Sequence, residues 1–267
     1  MAKERPIGVY DSGVGGLTVV RWLQQVLPME QIIYFGDTAR VPYGGRSSDE
    51  IVEFSRQILA FFLGKGVKFV IAACNTSSAL ALPLLVAEAP IPMMGVIYPG
   101  AKAAVTGVKG QRIGVIGTKA TVESHAYGHA LRDINPDIDV GEIACPELVP
   151  LVEAGEWEGE RVDSLLVGYL SPLIKERIDT LILGCTHYPF LLPSIERILG
   201  PEVRVVDPGE ATAQVAASRL RELGLLAKQR QGDDSFYVSG DPLGFRNTAF
   251  GLGYDYLVQA VDISRYA

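Results

Sequence analysis

The sequence has few cysteines, no long apolar run and no secretion signal. Three cysteines in 267 residues cannot form a disulfide framework, so we expect a reducing compartment in which a thiol is free for chemistry. No apolar stretch approaches the roughly 20 residues that span a bilayer. The first six residues, MAKERP, lack the apolar core of a signal peptide. We therefore expect a cytoplasmic protein with no membrane partner.

Basic residues are also scarce. Lys and Arg number 24 against 31 Asp and Glu, which gives a formal net charge of −7 and a pI of about 5.1. Domains that bind nucleic acids need a basic surface, so this balance argues against a nucleic-acid partner. Apolar residues make up 48% of the chain and charged residues 21%, so a large core can be buried and disorder is not expected.

Short apolar runs alternate with stretches that have apolar residues every three or four positions. This alternation predicts an α/β fold in which parallel strands are connected by helices. The predicted strands are 7–10, 32–35, 69–73, 93–97, 113–116, 180–183 and 203–206. The predicted helices are 17–27, 48–63, 77–88, 120–134, 162–176 and 211–223. A small antiparallel pair, 236–239 and 256–260, is predicted to join the main sheet.

The two halves of the chain resemble each other. Residues 7–13 (IGVYDSG) resemble 113–118 (IGVIGT), and residues 69–76 (FVIAACNT) resemble 180–187 (TLILGCTH), at similar offsets. This repeat predicts two topologically similar domains related by pseudo-twofold symmetry, each with a mainly parallel sheet flanked by helices. We expect the active site in the cleft between them. The expected domains are 1–97 together with 208–267, and 98–207.

Two cysteines follow the ends of predicted strands. Cys74 directly follows strand 69–73, and Cys185 follows strand 180–183 after a single residue, Gly184. Open α/β sheets bind ligands beyond the carboxyl ends of their strands. A lone buried cysteine is most often a small hydrophobic residue, but two related strand ends favour a chemical role. A thiol with a pKa near 8.5 can act as acid or base near neutrality, so a pair on opposite faces of one substrate could invert a stereocentre.

Polar and glycine-rich segments follow other predicted strands. Residues 10–16 (YDSGVGG) have the strand, glycine turn and helix pattern that directs N–H groups at an anion, but they lack the Gly-Lys-Ser/Thr of a phosphate loop. Residues 37–46 are interpreted as an active-site loop. Either segment could instead be a plain turn. His187 is a candidate to stabilise the Cys185 thiolate, and Glu153 to orient a histidine or bind an ammonium group.

Four of these segments together resemble the bacterial glutamate racemases. They are residues 10–16, 37–44 (DTARVPYG), 73–78 (ACNTSS) and 184–189 (GCTHYP), and 145–150 (CPELVP) and 206–208 (VDP) are similar to the same family. The resemblance implies cofactor-independent interconversion of L- and D-glutamate, without a metal, and use of D-glutamate in peptidoglycan synthesis. No lysine occurs in the four segments, which agrees with a reaction that needs no pyridoxal phosphate.

The resemblance also implies roles for single residues. Cys74 would act on D-glutamate and Cys185 on L-glutamate, assisted by Asp11 and His187 respectively. Glu153 would be a further catalytic residue. The implied substrate-binding residues are Asp11, Ser12, Tyr43, Gly44, Asn75, Thr76, Thr118, Thr121, Thr186 and His187. The partner would be glutamate, and a homodimer is the default assembly.

Four other functions stay open at this point. A related racemase would act on aspartate or a hydantoin, and one methylene group distinguishes glutamate from aspartate by only about 1–3 kcal/mol. A cysteine hydrolase would need a hydrogen bond between Cys185 and His187. A zinc protein would use Cys74, Cys185 and His187, whose spacing matches no common zinc motif. A pure binding module would leave the second cysteine unexplained.

Overall fold

Strands and helices alternate along the described chain, which comprises residues 2–106 and 112–266 of a computed structural model. The strands are β1 (Ile7–Asp11), β2 (Ile32–Gly36), β3 (Phe69–Ala72), β4 (Met93–Gly95), β5 (Arg112–Gly117), β6 (Asp139–Ala144), β7 (Thr180–Gly184), β8 (Arg204–Val206), β9 (Ser235–Val238) and β10 (Val258–Ala260). The α-helices are α1 (Leu17–Val26), α2 (Ser48–Gly64), α3 (Asn75–Leu80), α4 (Leu82–Glu88), α5 (Ile97–Val105), α6 (Lys119–Glu123), α7 (Ala126–Ile134), α8 (Leu148–Glu153), α9 (Glu160–Lys175), α10 (Leu192–Leu199), α11 (Pro208–Glu222) and α12 (Pro242–Gly251). None of these helices is long and apolar enough to cross a membrane.

The strands form two sheets in which each observed pairing is parallel. One sheet has the order β10-β9-β2-β1-β3-β4, and the other has the order β6-β5-β7-β8. The first four strands along the chain in each sheet follow the same order. In the first sheet β1 lies between β2 and β3, with β4 beyond β3. In the second sheet β5 lies between β6 and β7, with β8 beyond β7. The prediction of an α/β fold with two topologically similar, parallel sheets is confirmed.

Helices cover both faces of each sheet. Helices α1 and α11 pack on one face of the first sheet and α2 on the other, around two apolar cores. In the second sheet, α8 to α10 cover one face, and α5 with α7 cover the other. Strands β1, β2, β3 and β7 are buried at every residue. This double cover explains why the central strands are continuous apolar runs.

A buried ion pair joins segments that are far apart in the sequence. The Lys68 ammonium donates to the Glu30 carboxylate and to the carbonyl of Lys3. Glu30 Oε1 also accepts from the backbone N–H of Ala227 at 2.8 Å. Both charged side chains are only 2% exposed. The pair therefore ties the residues after α11 to the amino end of the first sheet.

The prediction of an antiparallel pair near the C-terminus is wrong. Strand β9 joins the edge of the first sheet beside β2, and β10 pairs with β9 in the parallel direction. Helix α12 connects them. Asp241 caps this helix by accepting from the N–H groups of Leu243 and Gly244, and Pro242 occupies its first turn. A crossover helix returns the chain to the same edge, which makes the two strands parallel.

Two predicted helices are each divided in two. Residues 77–88 contain the end of α3 and all of α4, because Pro83 lacks an N–H and suits the first turn of a new helix. Residues 120–134 are divided at His125, whose φ of 51° lies in the left-handed region. The strand predicted at 93–97 ends at Gly95, and α5 begins at Ile97.

Candidate active site

A cavity of about 220 Å³ lies at the carboxyl ends of strands from both sheets. The first sheet contributes Ser12 after β1 and Cys74 after β3, and the second contributes Cys185 after β7. The cavity is smaller than the roughly 300–1,000 Å³ pockets of drug-sized ligands, so it suits a molecule the size of an amino acid. A wider groove of about 750 Å³ beside α5 and α11 contains neither cysteine.

The predicted site residues meet at this cavity. Its wall contains Ser12, Tyr43, Gly44, Cys74, Asn75, Thr76, Thr118, Cys185, Thr186 and His187. Asp11, Thr121 and Glu153 lie behind that wall, and each hydrogen bonds to a residue in it. All thirteen positions therefore belong to one cluster.

Cys74 lies between β3 and α3, as the residue that precedes the helix. Its side chain is buried, with 5% of the residue exposed. Burial and the neighbouring Asp11 carboxylate raise the pKa of the Cys74 thiol to about 12. A thiol with this pKa keeps its proton near pH 7.

The Asp11 carboxylate, at the end of β1, forms a hydrogen bond to the segment that follows β7 in the second sheet. Its Oδ2 accepts from the N–H of Gly13 at 3.0 Å, and its Oδ1 accepts from Thr186 Oγ1 at 3.1 Å. Burial raises the pKa of Asp11 above its ordinary value, although the His187 charge and these hydrogen bonds oppose the rise. Asp11 therefore accepts a proton more readily than an exposed aspartate does.

His187 lies between a thiol and a carboxylate. Its Nδ1 is 3.8 Å from Cys185 Sγ, and its Nε2 is 2.7 Å from Glu153 Oε1. Burial opposes protonation of the imidazole, but the contacts with Cys185 and Glu153 outweigh it and raise the pKa of His187 well above 6.5. Burial also acts to raise the pKa of Glu153, yet its bond to His187 lowers that pKa. A charged imidazolium–carboxylate pair therefore faces Cys185.

The glycine-rich turn after β1 allows backbone to approach the second half of the chain closely. A Cβ on Gly13 would lie 2.6 Å from Glu153 Oε1, and a Cβ on Gly15 would lie 2.4 Å from Thr186 Oγ1. A side chain at Gly15 would also lie 2.9 Å from the Thr186 backbone, and one at Gly13 would displace the Glu153 carboxylate. Glycine at both positions thus preserves the contact between the two halves, which a plain turn would not require.

Three buried threonine hydroxyls form a triangle beside the cavity. Thr76 Oγ1 is 3.0 Å from Thr118 Oγ1 and 3.3 Å from Thr121 Oγ1, and the last two are 3.0 Å apart. Gly44 lies against this triangle, because a Cβ on it would be 2.7 Å from Thr118 Cβ. The two halves of the chain thus supply one polar end of the cavity.

One wall of the cavity is formed by residues that are not among the predicted site residues. Cys145, Pro146 and Val149 line it, and they follow β6, a strand that was not predicted. Lys119 also lines the cavity, outside the four segments that lack lysine. Its side chain is 65% exposed and lies 3.7 Å from Glu123. The strand signal was weak because β6 contains Asp, Gly and Glu and is half-exposed at the edge of its sheet.

The structure bears on two of the alternative functions, the zinc protein and the cysteine hydrolase. In the described ranges 2–106 and 112–266, no group of three or more His, Cys, Asp or Glu residues is arranged to hold a metal ion. The hydrogen bond that a cysteine hydrolase requires is present between Cys185 and His187. Glu153 behind His187 completes an arrangement like that of a hydrolase triad.

The family model described as Asp/Glu/Hydantoin racemase matches residues 17–216. A glutamate racemase from Trichormus variabilis is 48% identical over 260 residues, which cover 97% of this chain and 88% of the relative.

Two solved structures are similar to this chain over nearly its whole length. The glutamate racemase isoform from Bacillus anthracis has a TM-score of 0.94 and 41% identity, covering 97% of this chain and 98% of that one. The glutamate racemase from Francisella tularensis, solved in complex with D-glutamate, has a TM-score of 0.92 and 38% identity, covering 99% of this chain and 100% of that one.

Proposed function

The chain belongs to the Asp/Glu/hydantoin racemase family, and from that premise we propose that it interconverts L- and D-glutamate with Cys74 and Cys185 as the two acid–base groups. It is an isomerase. The observation that carries the proposal is the convergence of one cysteine from each sheet on a single small cavity. The similarity to glutamate racemases over nearly the whole chain supports glutamate as the substrate.

In the L-to-D direction, Cys185 acts as the base. Its thiolate removes the α-proton of L-glutamate, and the electron pair stays on the α-carbon. Cys74 then donates its thiol proton to the opposite face, which gives D-glutamate, a Cys185 thiol and a Cys74 thiolate. The raised pKa of Cys74 and the imidazolium of His187 beside Cys185 both support this assignment.

In the D-to-L direction, the two thiols exchange roles. Cys74 must first lose its proton, and Asp11 is the neighbouring group whose raised pKa suits it to assist. The carbanion is the difficult species in both directions, because an α-proton is far less acidic than a thiol. Preorganised hydroxyl and N–H donors in a site closed to water are the available stabilisation.

The preference of the protein for glutamate over aspartate depends on the length of the substrate's side chain. We propose that the triangle of Thr76, Thr118 and Thr121 binds the side-chain carboxylate, and that Ser12, Tyr43, Gly44, Asn75 and Thr186 contact the rest of the substrate. One methylene group changes binding by about 1–3 kcal/mol, so aspartate should turn over roughly tenfold to hundredfold more slowly. A comparison of kcat/KM for the two amino acids measures this preference.

The direct test of the function uses labelled solvent. L-Glutamate incubated with the protein in deuterated water should become D-glutamate that carries solvent deuterium at Cα, without added cofactor. Chiral chromatography with mass spectrometry detects both changes. The proposal fails if D-glutamate does not form, or if it forms only when pyridoxal phosphate or a metal is supplied.

Replacing Glu153 by glutamine should make the reaction more sensitive to alkaline pH. Because the carboxylate holds the pKa of His187 high, its loss lowers that pKa, and the imidazolium disappears at lower pH. The alkaline limb of kcat/KM for L-glutamate should move to lower pH, with a loss of about tenfold or more at pH 8. Profiles of kcat/KM against pH in both directions measure the effect.

Glu142→Gln is the matched control for this prediction. Glu142 Oε2 lies 2.8 Å from Nδ1 of His125, a histidine–carboxylate pair away from the cavity. Its replacement should leave the pH profile unchanged. An unchanged profile in Glu153→Gln would remove Glu153 from the proposed machinery.

Four wider proposals accompany the activity. We propose that residues 1–97 with 208–267 form one domain and residues 98–207 the other, which agrees with the first sheet taking its strands from 7–95 and 235–260 and the second from 112–206. We propose a homodimer, which light scattering would test. The product D-glutamate would supply peptidoglycan synthesis, and the protein would act in the cytoplasm.

A further inference from the structure

One buried tyrosine contacts a residue adjacent to each of the two cysteines, Asn75 after Cys74 and Gly184 before Cys185. Tyr127 on α7 is completely buried. Its hydroxyl donates to Asn75 Oδ1 at 2.7 Å, and Asn75 directly follows Cys74. This hydrogen bond joins a helix of the second sheet to the helix that begins after Cys74 in the first.

The ring of Tyr127 lies against the residue that precedes the other cysteine. A Cβ on Gly184 would be 3.2 Å from Tyr127 Cε2, so the ring packs directly on the Gly184 backbone. The same Cβ would be 2.7 Å from the carbonyl oxygen of Ile116 on β5. The end of β7 therefore packs closely against both the tyrosine ring and the neighbouring strand.

The hydroxyl also lies where the chain passes from one sheet to the other. Helix α5 makes this passage, and a Cβ on its Gly100 would be 3.3 Å from the Tyr127 oxygen. Burial raises the pKa of Tyr127 well above 10, so the hydroxyl keeps its proton and remains a donor. A single neutral side chain thus touches α5, Asn75 and Gly184.

We propose that Tyr127 is a positioning residue that fixes the placement of Cys74 relative to Cys185. The inference rests on the proposed racemase function. Inversion needs both sulfur atoms aligned with one α-carbon, and a displacement of about 1 Å in such a geometry costs roughly 100-fold in rate. Removal of the α-proton by one thiol, exchange of that thiol proton with solvent and return of a deuteron to the same face need only that thiol. Tyr127 should therefore affect inversion more than exchange.

Tyr127→Phe tests the proposal, because it removes the hydroxyl and keeps the ring. We expect kcat to fall about tenfold in both directions, with KM changed less than about twofold. In deuterated water, the ratio of deuterated L-glutamate to D-glutamate formed from L-glutamate should rise. A loss of folded protein would lower both products together and leave that ratio constant, so the ratio isolates positioning.

Tyr256→Phe is the matched control. Tyr256 also donates its hydroxyl to a side-chain amide oxygen, Oε1 of Gln24 at 3.2 Å, but its ring packs on the apolar core around α1, outside the residues that line the cavity. Its removal should change neither kcat nor the product ratio, and melting temperatures compare the two variants. A Tyr127→Phe protein with the wild-type kcat, or with a reduced kcat at the wild-type product ratio, overturns the proposal. Racemisation by the wild-type protein in the same assay tests the underlying function separately.

Discussion

Replacing either Cys74 or Cys185 by serine is expected to lower glutamate racemisation by about 10²–10⁴-fold in both directions. That range is the usual contribution of a positioned group that transfers a proton. A serine hydroxyl has nearly the shape of a thiol but is a much weaker acid, so it neither removes the α-proton nor supplies one. Initial rates with each enantiomer, followed by chiral chromatography, measure the loss.

The two variants should differ in what they still do. Cys74→Ser retains the base that acts on L-glutamate, so it should exchange the α-proton of L-glutamate for deuterium without forming D-glutamate. Cys185→Ser should show the same behaviour with D-glutamate. Proton NMR in deuterated water follows this exchange.

Cys145→Ser provides the comparison, since this third cysteine lines the same cavity and is also buried. It should lose less than about tenfold, because no proton transfer is assigned to it. Normal turnover in Cys74→Ser would contradict the two-thiol mechanism. It would show that racemisation needs only one thiol, with Cys185, His187 and Glu153 as the remaining candidate groups.

Replacing Lys68 by methionine is expected to lower the free energy of unfolding by about 3–5 kcal/mol. The substitution leaves the Glu30 carboxylate buried without its counter-charge, and an uncompensated buried charge is costly. The carbonyl of Lys3 loses its donor as well. Chemical denaturation followed by circular dichroism measures the change.

Two further variants test the physical reason for this loss. Lys68→Met combined with Glu30→Met removes both charges and should recover part of the stability, although the Ala227 N–H then lacks its acceptor. Arg56→Met removes an exposed arginine that binds Glu88 through two nitrogens, and exposed pairs contribute little. Equal effects of Lys68→Met and Arg56→Met would show that burial of the first pair is unimportant.

The sequence alone predicts the features that depend on local pattern. Apolar runs such as 69–73 identify central strands because helices bury both of their faces, and the residues after such runs face the cavity. Cys74 and Cys185 are therefore recognisable as site candidates from their place after a strand. The repeat between the halves likewise predicts the shared strand order of the two sheets.

Features that depend on contacts between distant segments are not predictable in this way. The sequence makes Glu153 a candidate to orient a histidine or to bind an ammonium group, but it does not decide between the two, since the contact of its carboxylate with His187 depends on how α8 packs. The same holds for Tyr127, which lies 52 positions from its partner Asn75. The direction of β10 depends on α12, which begins at the capping residue Asp241 and Pro242 and replaces the expected hairpin by a crossover.

The position of β9 has a consequence for synthesis of the protein on the ribosome. Strand β2 pairs on its outer edge with β9, which is translated about 200 residues later. At 5–20 residues per second, the nascent chain waits about 10–40 s before that edge is covered. During this interval the apolar segment IIYFG has an open strand edge, which is a surface for aggregation or for capture by a chaperone.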